Sequence, residues 1–104
     1  MIMHTLELDA SSWRTAQDFR SALKAAIGAP DWHGEIAAAF LDSIFGGSMN
    51  AIKPPYVIKV VNTAHIAPEL KELIRDFSSA IEETRARRLA RIGEDVAVSL
   101  EIGN

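Results

Sequence analysis

Alternating patterns near the two ends of the chain each predict a β-strand with one buried face. In the segment 2–8 the even-numbered residues are isoleucine, histidine and leucine. In the segment 96–102 the even-numbered residues are valine, leucine and isoleucine. Successive side chains of a strand point to opposite faces, so each segment is expected to bury one face and expose the other.

A third strand is predicted in the middle of the chain. The segment 56–61 reads Tyr-Val-Ile-Lys-Val-Val, the most continuous β-branched run in the sequence. Such runs are typical of a central strand in a small parallel sheet.

The first helix is predicted between a capping signal and a glycine. Thr15 with Asp18 three residues later resembles a capping box, and Gly28 followed by Pro30 is expected to end the helix. The apolar residues between these signals recur at helical spacing and are Phe19, Leu23, Ala26 and Ile27.

A second, shorter helix is predicted to follow Gly34 and to end at Gly46. Its apolar positions are Ile36, Ala39, Phe40 and Ile44.

The third helix is predicted to begin with Pro68 and to be longer than the sheet. A helix from Pro68 to Ile92 would span about 37 Å, whereas a six-residue strand spans about 20 Å. Its apolar stripe lapses after Ile81, because Thr84 and Arg88 occupy the next core positions. We therefore expect the helix to extend past the sheet rather than to break near Thr84.

The predicted order β-α-α-β-α-β contains two helical crossovers, which imply parallel strands joined by right-handed connections. The expected fold is a two-layer α/β domain over residues 1–104, with a three-stranded parallel sheet and helices packed against it.

The composition of the chain excludes several classes of protein. The chain has 104 residues, of which 48% are hydrophobic and 24% charged, and it contains no cysteine. This excludes a disulfide framework and cysteine-ligated metals. The net charge of −3 argues against nucleic-acid binding by bulk charge. No signal peptide and no membrane-spanning run of about 20 apolar residues is recognisable, so a cytoplasmic location without membrane contact is predicted.

Candidate catalytic residues are few. No two histidines have the spacing that places a pair of ligands on one helix face. The triplet Asp31, His33 and Glu35 could bind a metal, but such residues are also common in a turn before a helix. No serine or cysteine nucleophile lies in a recognisable elbow. We therefore predict no enzymatic activity, no metal and no cofactor.

The charge pattern offers a better signal. No Lys or Arg occurs between Lys24 and Lys53, and the acids in that interval are Asp31, Glu35 and Asp42. At helical spacing Glu35, Ala38 and Asp42 share one face, with Trp32 before it and Leu41 and Phe45 beside it. An acidic face with apolar groups at its rim suits docking into a basic cleft. Alternatively, the acids favour the helix macrodipole and Trp32 belongs to the core.

Arginines are concentrated near the end of the third helix, at Arg85, Arg87, Arg88 and Arg91. Glu82 and Glu83 lie at pairing distance from two of them, which favours a solvated, ion-paired face. The alternative function is a regulatory adaptor that binds an acidic protein or RNA through this Arg85–Arg91 end.

The segment from Pro30 through Glu35, continued by Ala39–Ile44 and Gly46, resembles the signature of the barstar family of ribonuclease inhibitors. That signature has a proline, an acid, two aromatics and a glycine before an acidic helix. The resemblance implies a parallel sheet of order 1-2-3 and a non-enzymatic protein that inhibits a small ribonuclease or nuclease-type toxin inside the cell. The partner-binding residues it implies are Trp32, His33, Gly34, Glu35, Ala38, Leu41, Asp42, Phe45 and Gly46.

Individual positions both match the family pattern and depart from it. Asp42 takes the place of the helix aspartate that enters the nuclease site, and Trp32 the place of an aromatic contact. Three departures replace polar or aromatic residues of the pattern, with Ile36 for asparagine, Ala38 for aspartate and Leu41 for tryptophan. Arg88 stands where the family has an acid on its last helix.

Overall fold

The computed structural model of the protein describes residues 4–29, 37–46 and 53–103. Within these ranges the elements follow one another as expected from the sequence. They are β1 (His4–Asp9), α1 (Ala16–Ile27), α2 (Ala37–Gly46), β2 (Tyr56–Val61), α3 (Pro68–Ile92) and β3 (Val98–Ile102).

The three strands form one sheet in the order β1-β2-β3, and both strand pairs are parallel. In the register, His4 lies opposite Tyr56, and Tyr56 lies opposite Val98. This confirms the predicted α/β fold and the central position of β2.

The two faces of the sheet differ in polarity. The inner face carries the buried residues Leu8, Ile58, Val60 and Leu100. The outer face carries Glu7, Lys59 and Glu101 in one row across the three strands, and all three are exposed. The predicted buried face is confirmed for β3 through Val98 and Leu100. In β1 it holds for Leu8 but not for His4, which is exposed at the start of the strand.

The predicted capping signals delimit α1. The Asp18 carboxylate accepts the backbone N–H of Arg14 at 2.7 Å and that of Thr15 at 3.0 Å. These two hydrogen bonds lower the pKa of Asp18. At the other end Gly28 adopts a left-handed conformation with φ 69°, which glycine tolerates without steric cost.

Helix α3 is continuous over 25 residues and extends beyond the core, as predicted. Its buried residues are Leu70, Ile74, Phe77 and Ile81. After Ile81 the side chains are half-buried or exposed through Ile92. The Thr84 hydroxyl donates to the carbonyl oxygen of Ala80 at 2.7 Å, so the polar group in the stripe is satisfied within the helix.

An aromatic cluster joins the three helices. The Phe77 ring of α3 lies 5.1 Å from the Phe19 ring of α1 and 5.9 Å from the Phe40 ring of α2, measured between centroids. Both pairs have the edge-to-face geometry that aromatic rings prefer. Phe77 therefore contacts both α1 and α2 within the core.

Candidate functional site

Only part of the predicted acidic face can be located. Trp32, His33, Gly34 and Glu35 lie outside the described residues. So do Asp31, which was weighed with His33 and Glu35 as a metal ligand, and the departure at Ile36. The other predicted residues, Ala38, Leu41, Asp42, Phe45 and Gly46, belong to α2.

The inner side of α2 is firmly anchored. Phe40 and Ile44, one turn apart, are 1% and 5% exposed. Ser43 is also buried, and its hydroxyl donates to the carbonyl oxygen of Phe40 at 3.1 Å. This hydrogen bond offsets the cost of removing the hydroxyl from water.

The outer side of α2 presents one carboxylate on an otherwise apolar surface. Ala38 and Asp42, one turn apart, are both exposed, and Leu41 beside them is half-buried. Within residues 4–29, 37–46 and 53–103, no cation pairs with the Asp42 carboxylate. The Asp42 carboxylate can therefore accept charge-assisted hydrogen bonds from a partner protein, and no ion pair with another described residue has to break first.

Phe45 occupies a different position from the one expected. The sequence placed it beside the acidic face, but it is 7% exposed and belongs to the hydrophobic core. The physical reason is that an aromatic ring gains more free energy by burial than a small residue does. Phe45 is therefore part of the core rather than of the exposed face of α2, and Gly46 ends the helix.

The arginines at the end of α3 pair with acids that follow the helix. Arg85 Nε lies 2.6 Å from Asp95 Oδ1, and Arg85 Nη2 lies 3.0 Å from Asp95 Oδ2. This two-point hydrogen bond lowers the pKa of Asp95 and raises that of Arg85. A second contact joins Arg88 Nη2 to Glu94 Oε1 at 3.3 Å.

These contacts correct the pairing expected from the sequence. Glu82 and Glu83 were expected to neutralise the arginines, but neither forms an ion pair in the part of the chain described here. The physical reason is the turn at Gly93, whose φ of 70° directs the chain back along the last turns of α3. The signal available in the sequence was the Gly-Glu-Asp run at 93–95.

Two general features of the described residues bear on the class of site. They contain no helix long and apolar enough to cross a membrane. They also contain no group of three or more His, Asp or Glu side chains arranged to bind a metal ion.

Comparison with known proteins assigns the chain to a family. A search of curated protein sequences finds no significant match. The family model described as Barstar (barnase inhibitor) matches residues 3–101, which is nearly the whole chain and includes all of the fold's elements except for the last residue of β3. The chain therefore belongs to the barstar family, a family of barnase inhibitors.

Proposed function

We propose that this protein inhibits a ribonuclease or nuclease-type toxin inside the cell by inserting the outer face of α2 into its active site. Membership of an inhibitor family supports a protein-binding role. The observation that carries the proposal is the exposure of Asp42 on a helix whose opposite side is buried through Phe40, Ser43 and Ile44.

In the proposed mechanism the Asp42 carboxylate takes the place of a substrate phosphate. A nuclease active site collects Arg, Lys and His side chains to bind the phosphodiester, and a carboxylate accepts hydrogen bonds from the same groups. Since α2 is fixed by the core, little conformational entropy is lost when the carboxylate is bound. Ala38 leaves room for close approach, and Leu41 supplies apolar contact beside the charge.

The remaining residues of the face are part of the proposal. Trp32, His33, Gly34 and Glu35 would extend the contact from the segment that precedes α2, and Gly46 would bound it at the other end. Phe45 would act from within the core by fixing the last turn of α2.

The charges also indicate the kind of partner. Asp42 is the one acid on the described part of α2, and the end of α3 is rich in arginine. A nuclease with a moderately basic active site suits this distribution better than one surrounded by many cations, because unmatched like charges oppose association.

The test is inhibition of RNA cleavage, with barnase as the probe nuclease. We expect the wild-type chain to inhibit cleavage and Asp42→Ala to weaken binding by about 2 to 5 kcal/mol, a range that draws partly on complexes of this same family. Asp76→Ala is the matched control, because Asp76 is an exposed aspartate on α3, and it should leave inhibition unchanged. Equal inhibition by the wild type and Asp42→Ala would contradict the proposed face, and absence of inhibition by the wild type would contradict barnase as a target.

A further inference from the structure

The stripe of α3 that packs in the core continues beyond it with polar residues. Phe77 and Ile81 are buried, and Thr84 and Arg88 follow at spacings of three and four residues. Residues at these spacings share one side of a helix. Thr84 and Arg88 therefore lie on the same side of α3 as the core residues Phe77 and Ile81, but beyond the end of the core.

A cavity of about 240 Å³ lies at this end of α3. The described residues that line it are Thr84, Arg87, Arg88, Arg91 and Ile92. Three arginines and a threonine thus border one cavity, and none of its described lining residues is acidic. This composition favours a ligand that carries oxygen atoms and negative charge.

The arginines at this cavity are incompletely paired. Arg88 Nε is buried and has no hydrogen-bond acceptor, although Arg88 Nη2 contacts Glu94. Arg87 and Arg91 form no ion pair with any described residue. Arg87 and Arg91 are both exposed, so a carboxylate placed in the cavity can pair with them without displacing an ion pair among the described residues.

Exposed apolar side chains occur beside the same arginines. Leu89 and Ile92 are 48% and 59% exposed, and they are the two large hydrophobic residues exposed in the described ranges. Ile92 borders the arginine cavity. Leu89 borders a neighbouring cavity, also of about 240 Å³, together with Ala86, Glu82 and the Arg85–Asp95 pair.

The combination of arginine with aliphatic side chains distinguishes a protein ligand from a nucleic acid. Protein interfaces combine arginine with apolar contact, and clustered exposed apolar side chains mark such surfaces. Single-stranded RNA is bound by basic grooves lined with aromatic rings. No aromatic residue is among the described residues of either cavity, and the chain has a net charge of −3.

We infer that the last turns of α3 form a second docking surface, whose ligand is an acidic amphipathic helix of a partner protein. One carboxylate of that helix enters the cavity between Arg87, Arg88 and Arg91. An adjacent apolar side chain packs on Leu89 and Ile92. This surface has the opposite charge to the outer face of α2 and uses a different helix, so it goes beyond the inhibitory role proposed above.

The test uses a labelled synthetic helical peptide with glutamate and leucine on one side, and fluorescence anisotropy as the readout. The full-length chain should bind it, and Arg87→Ala combined with Arg91→Ala should weaken binding roughly tenfold, as expected for the loss of two charge-assisted contacts. Arg75→Ala is the matched control, because Arg75 is exposed on the same helix, roughly 18 Å along the axis from Arg87 at 1.5 Å per residue.

Competing ligands are separate arms of the same experiment. A peptide with glutamine in place of glutamate should bind at least tenfold more weakly, and an oligouridylate of equal length should not compete. Tighter binding of the oligouridylate, equal binding of the two peptides, or no effect of the paired arginine substitutions would overturn the inference. Asp42→Ala should bind the glutamate peptide like the wild type, so this surface and the proposed inhibitory face can fail independently.

Discussion

Helix α2 and the end of α3 both expose charge, but the two regions differ in what holds the charge in place. On α2 the Asp42 carboxylate is on a short helix whose inner side is anchored through Phe40 and Ile44. At the end of α3 the arginines lie beyond the core, and described contacts with Glu94 and Asp95 hold two of them.

The difference determines how each region can bind a partner. A charge on a helix anchored by hydrophobic packing is preorganised, so its contribution to binding is not reduced by ordering costs. A charge held by exposed ion pairs is screened by salt and can exchange its partner for another. Helix α2 is therefore suited to specific inhibition, and the end of α3 to weaker, salt-dependent contacts.

The largest effect expected from this comparison is on stability. Phe40→Ala removes an aromatic ring that is 1% exposed and should lower the free energy of unfolding by about 3 to 5 kcal/mol. Leu89→Ala is the counterpart at the end of α3, where the side chain is 48% exposed. This substitution should change the free energy of unfolding by no more than about 0.5 kcal/mol. Urea denaturation measures both values. Similar losses for the two variants would contradict the distinction between an anchored helix and an overhanging one.

A smaller effect, dependent on pH and salt, is expected for the ion pair at the end of α3. In the folded protein, Arg85 lowers the pKa of Asp95 below its ordinary value of 3.8. The pair therefore stabilises the fold above that pH, and the stabilisation is lost as the pH falls through the lowered pKa. Arg85→Gln should be slightly less stable than the wild type at neutral pH, with a difference that shrinks in acid and in high salt.

NMR titration of the Asp95 carboxyl provides the direct measurement for this pair. The pKa of Asp95 should rise toward 3.8 in Arg85→Gln and stay unchanged in Arg75→Gln, which alters an exposed arginine outside the pair. An unchanged pKa in Arg85→Gln would show that the two side chains do not interact in solution.

Much of the fold could be predicted because local signals agree with one another. Thr15, Asp18 and Gly28 mark the ends of α1 through hydrogen bonds and backbone conformation that are local in sequence. The extension of α3 followed from its length and from the polar residues in its stripe after Ile81. Such features depend on spacing along the chain, which the sequence shows directly.

Details that depend on tertiary contacts were less predictable. The burial of Phe45 depends on how far the core extends along α2, which helical spacing does not show. The pairing of Arg85 with Asp95 depends on the direction of the chain after Gly93, whereas Glu82 lies nearer in sequence. Local spacing therefore indicates which face of a helix a residue occupies, but not what that face meets.

The central claim is that the outer face of α2 contacts the nuclease, and NMR mapping of the complex tests it most directly. On titration with inactive barnase, the amide signals of Ala38, Leu41 and Asp42 should shift or broaden. Those of Glu7, Lys59 and Glu101, on the outer face of the sheet, should not change. Perturbed signals on the outer face of the sheet together with unchanged signals on α2 would contradict the claim.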